Sequence, residues 1–234
     1  MKKIELTILI PCLNEEDTIE KCVNIAFSFL KNNNINGEVL VIDNNSIDNS
    51  YKIACKSGAR VIKEKERGYG CALIRGINEA KGKYILMGDA DCSYDFSAAY
   101  PFIEKLREGY DMVVGNRFKG GINKGAMPFL HKYVGNPFLS FIGKTLFKIE
   151  IGDFHCGLRS FNVKKIKSLN LSCCGMDFAS EMIIKAKNNN LNITEVPIIL
   201  YKDERVSCVS HLDTFKDGFL HLNTMIRLYR MRDK

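Results

Sequence analysis

The strongest constraint on the fold is an alternation. Short apolar runs at 6–10, 39–42, 60–62, 84–87 and 111–114 read as strands. Between them lie stretches with helical spacing, such as Ile19, Cys22, Val23, Ala26, Phe27 and Leu30, or Ala72, Leu73, Ile74, Ile77 and Ala80. Strands alternating with helices of this length imply right-handed βαβ units and an α/β fold with a mostly parallel sheet covered on both faces. The stretch 83–91, which contains the fourth of these, is the most telling. Tyr84-Ile85-Leu86-Met87 is unbroken and apolar, as a strand buried on two sides should be, and it leads into Asp89-Ala90-Asp91. In such sheets, ligands bind outside the carboxyl ends of the strands.

The pattern changes after Gly115. Residues 119–127 are rich in Gly and Lys and are expected to form a mobile loop. Residues 128–147 carry Phe129, Leu130, Val134, Phe138, Leu139, Phe141, Ile142, Leu146 and Phe147, with His131, Lys132, Lys144 and Lys148 on the polar side. A helix is expected at 177–187, a strand at 193–200 and a basic amphipathic helix at 214–231. The 234 residues could make one large or two small domains. No linker divides them, so one domain is expected over 1–234, with 119–150 as loop plus interfacial helix and 212–234 as a C-terminal basic helix.

The net charge of +7 favours anionic partners such as nucleotides, phosphates, nucleic acid or an anionic membrane. The nine cysteines are odd in number and form no Cys-x-x-Cys pair, which argues for a reducing cytosol and against disulfides or structural zinc. Met1-Lys2-Lys3 resembles the start of a signal peptide, but Glu5 and Pro11 interrupt the apolar run and favour a first strand. No apolar run approaches the roughly 18–20 residues that span a bilayer.

The loops after the first, second and fourth strands hold Asn14, Glu15, Asp43, Asp89 and Asp91. Acids gathered on one edge repel unless a cation or a hydrogen-bonding ligand intervenes. Asp89 and Asp91 suit a hard divalent cation, which would bring phosphates with it. The alternative is a solvated turn. Asp43 fits either a ribose or base edge or a helix cap. Neither a Gly-x-Gly-x-x-Gly loop nor a Walker-type Gly-Lys-Ser/Thr is present, so phosphates would be held by metal and side chains. Arg117 and Arg159 are candidates because the guanidinium fork matches a phosphate, although each could equally form a surface ion pair. His155 could support a metal or be structural.

Taken in order, several motifs resemble the signature of family 2 glycosyltransferases. They are Pro11-x-x-Asn14-Glu15-Glu16, Val41-Ile42-Asp43-Asn44-Asn45-Ser46-x-Asp48, Gly68-Tyr69-Gly70 and Asp89-Ala90-Asp91. Val114-Gly115-Asn116-Arg117, Met127-Pro128, Asp153 to Arg159 and Gly175 to Met182 resemble the polyprenyl-phosphate branch, which includes dolichol-phosphate mannosyltransferase and its glucosyl relatives. The resemblance implies a GT-A nucleotide-sugar-binding fold and a hexosyltransferase using Mg2+ or Mn2+. Pro11, Asn14, Glu15 and Asp43 would contact the nucleotide. Asp89 and Asp91 would frame the diphosphate and metal, and Arg117 and Arg159 would face the acceptor and donor phosphates.

The implied reaction is inverting transfer of one sugar from a UDP- or GDP-sugar to a polyprenyl phosphate. The implied setting is the cytoplasmic face of a membrane, reached peripherally through an anionic surface or through a membrane partner subunit. No nucleic-acid partner is expected. A hydroxyl acceptor would require Asp95, Asp177 or Glu181 as base. The sequence departs from the pattern at three places. Asn44 replaces an expected Asp, the basic loop at 205–211 is only partly kept, and the C-terminal membrane helices common among relatives are absent. The chain also lacks Trp and with it the Gln-x-x-Arg-Trp motif of processive synthases, which favours single-sugar transfer. Two rivals remain: a haloacid-dehalogenase-type phosphatase, and a catalytically inactive nucleotide-sugar sensor or docking subunit.

Overall fold

In a computed structural model, residues 3–206 and 214–232 are described. The hub is β1 (Leu6–Cys12), which pairs in parallel with β2 (Gly37–Asp43) on one side and β4 (Tyr84–Met87) on the other. Enclosure on every side accounts for its composition: Leu6, Ile8, Leu9 and Ile10 are fully buried. Pro11 is tolerated in this central strand for a specific reason. The ladder to β4 ends with Leu9 opposite Met87, so from there on only β2 lies alongside.

β3 (Arg60–Lys63) extends the sheet beyond β2. On the other side, β7 (Arg159–Asn162) lies antiparallel between β4 and β5 (Met112–Asn116). β8 (Ile193–Leu200) runs parallel to β5, and β6 (Gly121–Ile122) forms the edge. The eight strands described take the order β3-β2-β1-β4-β7-β5-β8-β6. The expected strands are present. β7 was not expected, because Arg-Ser-Phe-Asn carries neither an apolar run nor an alternation.

Among the helices, α1 (Ile19–Asn32) buries Ile19, Cys22, Val23, Ala26, Phe29 and Leu30. α2 (Ser50–Lys56), α3 (Tyr69–Glu79) and α4 (Tyr100–Arg107) follow β2, β3 and β4 respectively. The expected loop at 119–127 carries the end of α5 (Arg117–Gly120) and β6. Residues 128–147 form a π-helical turn at His131–Gly135 that continues into α6 (Asn136–Phe147). After α7 (Val163–Lys167), α8 (Phe178–Asn188) packs against α9 (Thr214–Arg232).

The amphipathic segments present an unusual surface. α6 turns Leu139, Ser140, Gly143 and Phe147 to the core. Meanwhile Phe129, Leu130, Tyr133, Val134, Phe138 and Phe141 are exposed, Phe129 at 72% and Phe141 at 65%. α9 buries His221, Thr224, Met225 and Leu228 and leaves Phe219, Ile226 and Tyr229 exposed. Phe219, Ile226 and Tyr229 thus stand outward, while Leu222 packs against the core. The side chains of Phe215 and Arg232, and all of Lys234, lie outside the described residues.

The cysteine reading requires a correction. Cys71 and Cys174 form a disulfide across 103 residues of sequence. Spacing could not reveal it, because the pairing depends on how α3 meets the chain ahead of α8. The approach there is close. Gly68 adopts φ +145, where side chains are strained, and a Cβ on it would sit 2.2 Å from the Cys174 carbonyl oxygen. A Cβ on Gly70 would sit 2.0 Å from that of Cys173. Cys174→Ser should lower the unfolding free energy by about 2–4 kcal/mol in non-reducing urea titrations, because the bond closes a long loop. Equal stability of the wild type with and without reductant would show that the bond does not form.

Candidate active site

The loops after β1 and β2 interlock. Asn14, in a left-handed conformation at φ 56, accepts the Ile47 N–H through Oδ1 at 2.9 Å. Its own N–H donates to Ser46 Oγ at 3.0 Å, and the Glu15 N–H donates to Ser50 Oγ at 2.7 Å. Asp43, at the end of β2, is 2% exposed, and its Oδ1 has no hydrogen-bond partner. A buried acceptor left unmatched costs about 1–3 kcal/mol, so this oxygen calls for a donor from outside the chain. Asn44 has a clear structural use. Its amide donates to the carbonyls of Glu64 and Glu66 and its Oδ1 accepts the Gly68 N–H. A carboxylate could not make both donations.

The Asp-x-Asp motif follows β4. Asp89 Oδ1 accepts the Tyr69 hydroxyl at 2.8 Å, and Asp91 Oδ1 accepts the Ser93 N–H at 2.9 Å. Burial, together with the neighbouring Asp91 charge, pushes the Asp89 carboxyl up to about 7. Burial raises Glu15 to about 8, although Arg205 opposes the shift. Arg205 was not picked out as a site residue from the sequence. It reaches back from the segment after β8, its Nη1 3.1 Å from Glu15 Oε1 and its Nη2 3.6 Å from Asp91 Oδ2, and it also pairs with Asp203. Residues 207–211 of the same basic loop lie outside the described residues.

Arg117 and Arg159 differ in their surroundings. Arg117 forms a bidentate pair with buried Asp153, Nε–Oδ2 at 2.7 Å and Nη2–Oδ1 at 2.8 Å. Arg159 is fully buried, and its guanidinium donates to the carbonyls of Cys156, Ala179 and Phe154. Arg159 therefore braces the 154–156 loop against α8, and it also lines the cavity that holds Asp89, Asp91 and Arg117.

Two histidines are bridged by a hydroxyl. His155 Nε2 lies 3.3 Å from Ser180 Oγ, which lies 2.8 Å from His221 Nδ1. Burial, reinforced by nearby Arg159, lowers His221 to about 4. Burial also holds His155 well below its ordinary value, helped by His221, Arg117, Arg159 and His131.

Some of these groups line one cavity of about 410 Å³; Pro11, Asn14, Glu15 and Asp43 are not part of its wall. Asp89, Asp91, Asp203 and Arg205 line one part, with Arg117, His131, His155 and His221 elsewhere on the wall. None of Asp95, Asp177 and Glu181 lines it. Asp95 caps a 3-10 turn, Asp177 accepts the Thr224 hydroxyl, and Glu181 accepts the N–H groups of Ser172 and Cys173.

The donor set fits a hard divalent cation. Two carboxylates one residue apart face the cavity, oxygen donors of the kind a hard cation takes. Among the described residues, no group of three or more His, Cys, Asp or Glu side chains is gathered to hold a metal. Further ligands would have to come from a diphosphate or water, which is usual for Mg2+ bound with phosphates.

Residues 7–169 match the model of the family described as Glycosyl transferase family 2. The chain belongs to this family. It is 38% identical over 222 residues to the low-salt glycan biosynthesis hexosyltransferase Agl6 of Haloferax volcanii, covering 94% of this chain and 53% of that protein. The chain thus spans about half the length of that relative. It is 33% identical to a UDP-N-acetylglucosamine–dolichyl-phosphate N-acetylglucosaminyltransferase of Methanococcus voltae, covering 82% of this chain and 83% of that protein. A crystal structure of glucosyl-3-phosphoglycerate synthase from Mycobacterium tuberculosis, in complex with Mn2+, UDP-glucose and phosphoglyceric acid, superposes with a TM-score of 0.73 at 19% identity, covering 97% of this chain and 79% of that one. This likeness bears out the expected GT-A-type α/β fold.

Two predictions follow from the geometry of this family 2 site. Arg159→Leu would leave three buried carbonyls unmatched at about 1–3 kcal/mol each, so a urea titration should show a loss of at least about 3 kcal/mol. Unchanged stability would remove the bracing role. The second prediction concerns His221, which faces His155, Ser180, Arg159 and Asp177. Its folded value of about 4 lies below the unfolded value of about 6.5. Between these pH values the unfolded state binds more protons, so stability is lost as pH falls from about 6.5 towards 4. His221→Gln should therefore lose less Tm than the wild type between pH 7 and pH 5. Equal losses would show that His221 is not shielded.

Proposed function

We propose that this chain transfers one sugar, with inversion, from a UDP- or GDP-sugar to a polyprenyl phosphate at the cytoplasmic face of a membrane. One observation carries the lipid part of this reading. The cavity that holds Asp89 and Asp91 is also lined by Met127, Pro128, His131, Asn136 and Leu139, from the same segment that exposes Phe129, Leu130, Tyr133, Val134, Phe138 and Phe141. An apolar surface beside a charged cavity suits an acceptor whose phosphate must enter while its chain stays in lipid. The Agl6 and N-acetylglucosaminyltransferase relatives support the hexosyl and dolichyl-phosphate parts by name.

In this reading Pro11, Asn14, Glu15 and Asp43 border the nucleotide, and Asp43 Oδ1 accepts a donor from the base or ribose. Asp89 and Asp91 would hold Mg2+ or Mn2+, which supplies Lewis-acid neutralisation of the leaving diphosphate. Arg205 adds a fixed positive charge beside Asp91. Arg117, held rigid by Asp153, presents positive charge to the acceptor phosphate, and such positioning accounts for much of the rate. With a second pKa of about 6, a phosphate acceptor is already ionised at neutral pH and requires no general base. A hydroxyl acceptor is the second reading. That reading needs a base, and His155 on the cavity wall serves poorly, because burial holds its imidazole well below the ordinary value.

Docking at the membrane would be peripheral, through the exposed aromatic residues and nearby lysines or through a membrane partner subunit. No helix among the described residues is long and apolar enough to cross a membrane.

Asp91→Asn should abolish the Mn2+-dependent thermal stabilisation by UDP- or GDP-sugars while leaving the protein folded. Full turnover in EDTA would end the metal role. Replacing Phe138 and Phe141 together with Ser should weaken co-sedimentation with anionic vesicles containing polyprenyl phosphate. Efficient transfer to a water-soluble sugar alcohol, with no vesicle binding at low salt, would overturn the lipid-phosphate reading.

A further inference from the structure

Two free thiols meet beside the Asp-x-Asp motif. Cys22 lies on α1 and is 1% exposed; Cys92 follows Asp91 directly and is partly exposed. Their sulfurs are 3.4 Å apart. Among the described residues, no other pair of free cysteines is in contact.

The pair is tied to both halves of the donor site. The Cys22 thiol donates to the carbonyl of Ala90, the residue between the two aspartates, at 3.2 Å. Cys92 sits at φ 62, in the left-handed region that non-glycine residues rarely adopt. Its neighbours anchor the segment that carries Arg205: the Asp91 carbonyl accepts the Glu204 N–H at 3.1 Å and the Ser93 carbonyl accepts the Tyr201 N–H at 3.0 Å. Lys21, next to Cys22, pairs with Glu204. A change in the sulfur pair would therefore be felt by Asp89, Asp91 and Arg205 together.

We propose that Cys22 and Cys92 form a reversible oxidation site, which a hydroperoxide converts to a disulfide, and that the bond switches off the donor site. The exposure difference sets the order of events. Cys92 sulfur attacks one peroxide oxygen, the O–O bond breaks, and water leaves with the thiol proton, giving a sulfenic acid. Cys22 sulfur then attacks the Cys92 sulfur, the S–O bond breaks, and a second water leaves. Two thiols and one hydrogen peroxide become one disulfide and two waters. A disulfide sets its sulfurs about 2.05 Å apart, so the pair must close by more than 1 Å or so. Closure also removes the Cys22 donation to Ala90 and pulls on the strained backbone at Cys92. The consequence for the donor site rests on the nucleotide-sugar reading; formation of the bond does not.

The test treats the full chain with dilute hydrogen peroxide and reads three quantities. Peptide mapping should show a 22–92 link, with loss of two hydrogens, in the wild type but not in Cys22→Ser. Hydrogen exchange at the amides of Tyr201 and Glu204 should quicken only when the link is present. The affinity for UDP or GDP with Mn2+ should fall by about tenfold or more in the wild type but not in Cys22→Ser, as when a metal ligand loses its support, and a reductant dose that mapping shows to open the 22–92 link but not 71–174 should restore it. Overoxidation of Cys92 without a link would overturn the proposal, as would a link that leaves both amides unchanged. If the protein not treated with peroxide binds neither nucleotide, the donor reading fails, while mapping and exchange still decide whether the oxidation site exists.

Discussion

Uncompensated negative charge at the carboxyl edge of the sheet governs this site. β1, β2 and β4 run in parallel, so the loops that follow them meet at one edge and bring Glu15, Asp43, Asp89 and Asp91 there. Burial makes the gathering costly, as the upward shifts of Glu15 and Asp89 show. The chain answers part of that cost with Arg205, whose side chain bridges Glu15, Asp91 and Asp203. The rest is left for a ligand that brings positive charge and hydrogen-bond donors. Asp43 Oδ1, buried and unmatched, belongs to the same unfinished balance.

The opposite wall is complete in itself. Arg117 is locked to Asp153, and Arg159 satisfies three carbonyls that would otherwise be buried without donors. The disulfide and the close packing at Gly68 and Gly70 hold Tyr69, and through it Asp89, against the chain ahead of α8. One side of the cavity is thus held rigid by bonds within the chain, while the other awaits charge. Such an arrangement suits chemistry in which a fixed wall positions one reactant and a cation completes the other half.

The segment between α5 and α6 links the cavity to the surface. It contributes Met127, Pro128 and His131 to the lining and exposes Phe129, Leu130 and Tyr133. An amphipathic helix normally spends its apolar face on the core. Here α6 has apolar residues on the core side and on the solvent side, so burial alone does not account for its composition.

Much of the fold was legible because parallel strands buried on both faces must be continuous apolar runs, and each ended in polar loop residues at the shared edge. Local pattern therefore placed Asn14, Glu15, Asp43, Asp89 and Asp91 together before any coordinates. β7 stayed invisible, since Arg-Ser-Phe-Asn is a strand only because β4 and β5 lie on either side of it. The same limit applied to partners distant in sequence. Cys71 with Cys174, Arg205 with Glu15, and Arg159 with the carbonyls around it are pairings that depend on where helices dock. The sequence by itself determined which residue types stand at the ends of the strands. Only the tertiary structure decided which charges are matched, because burial and distance, not residue type, set whether a guanidinium faces a ligand or its own backbone.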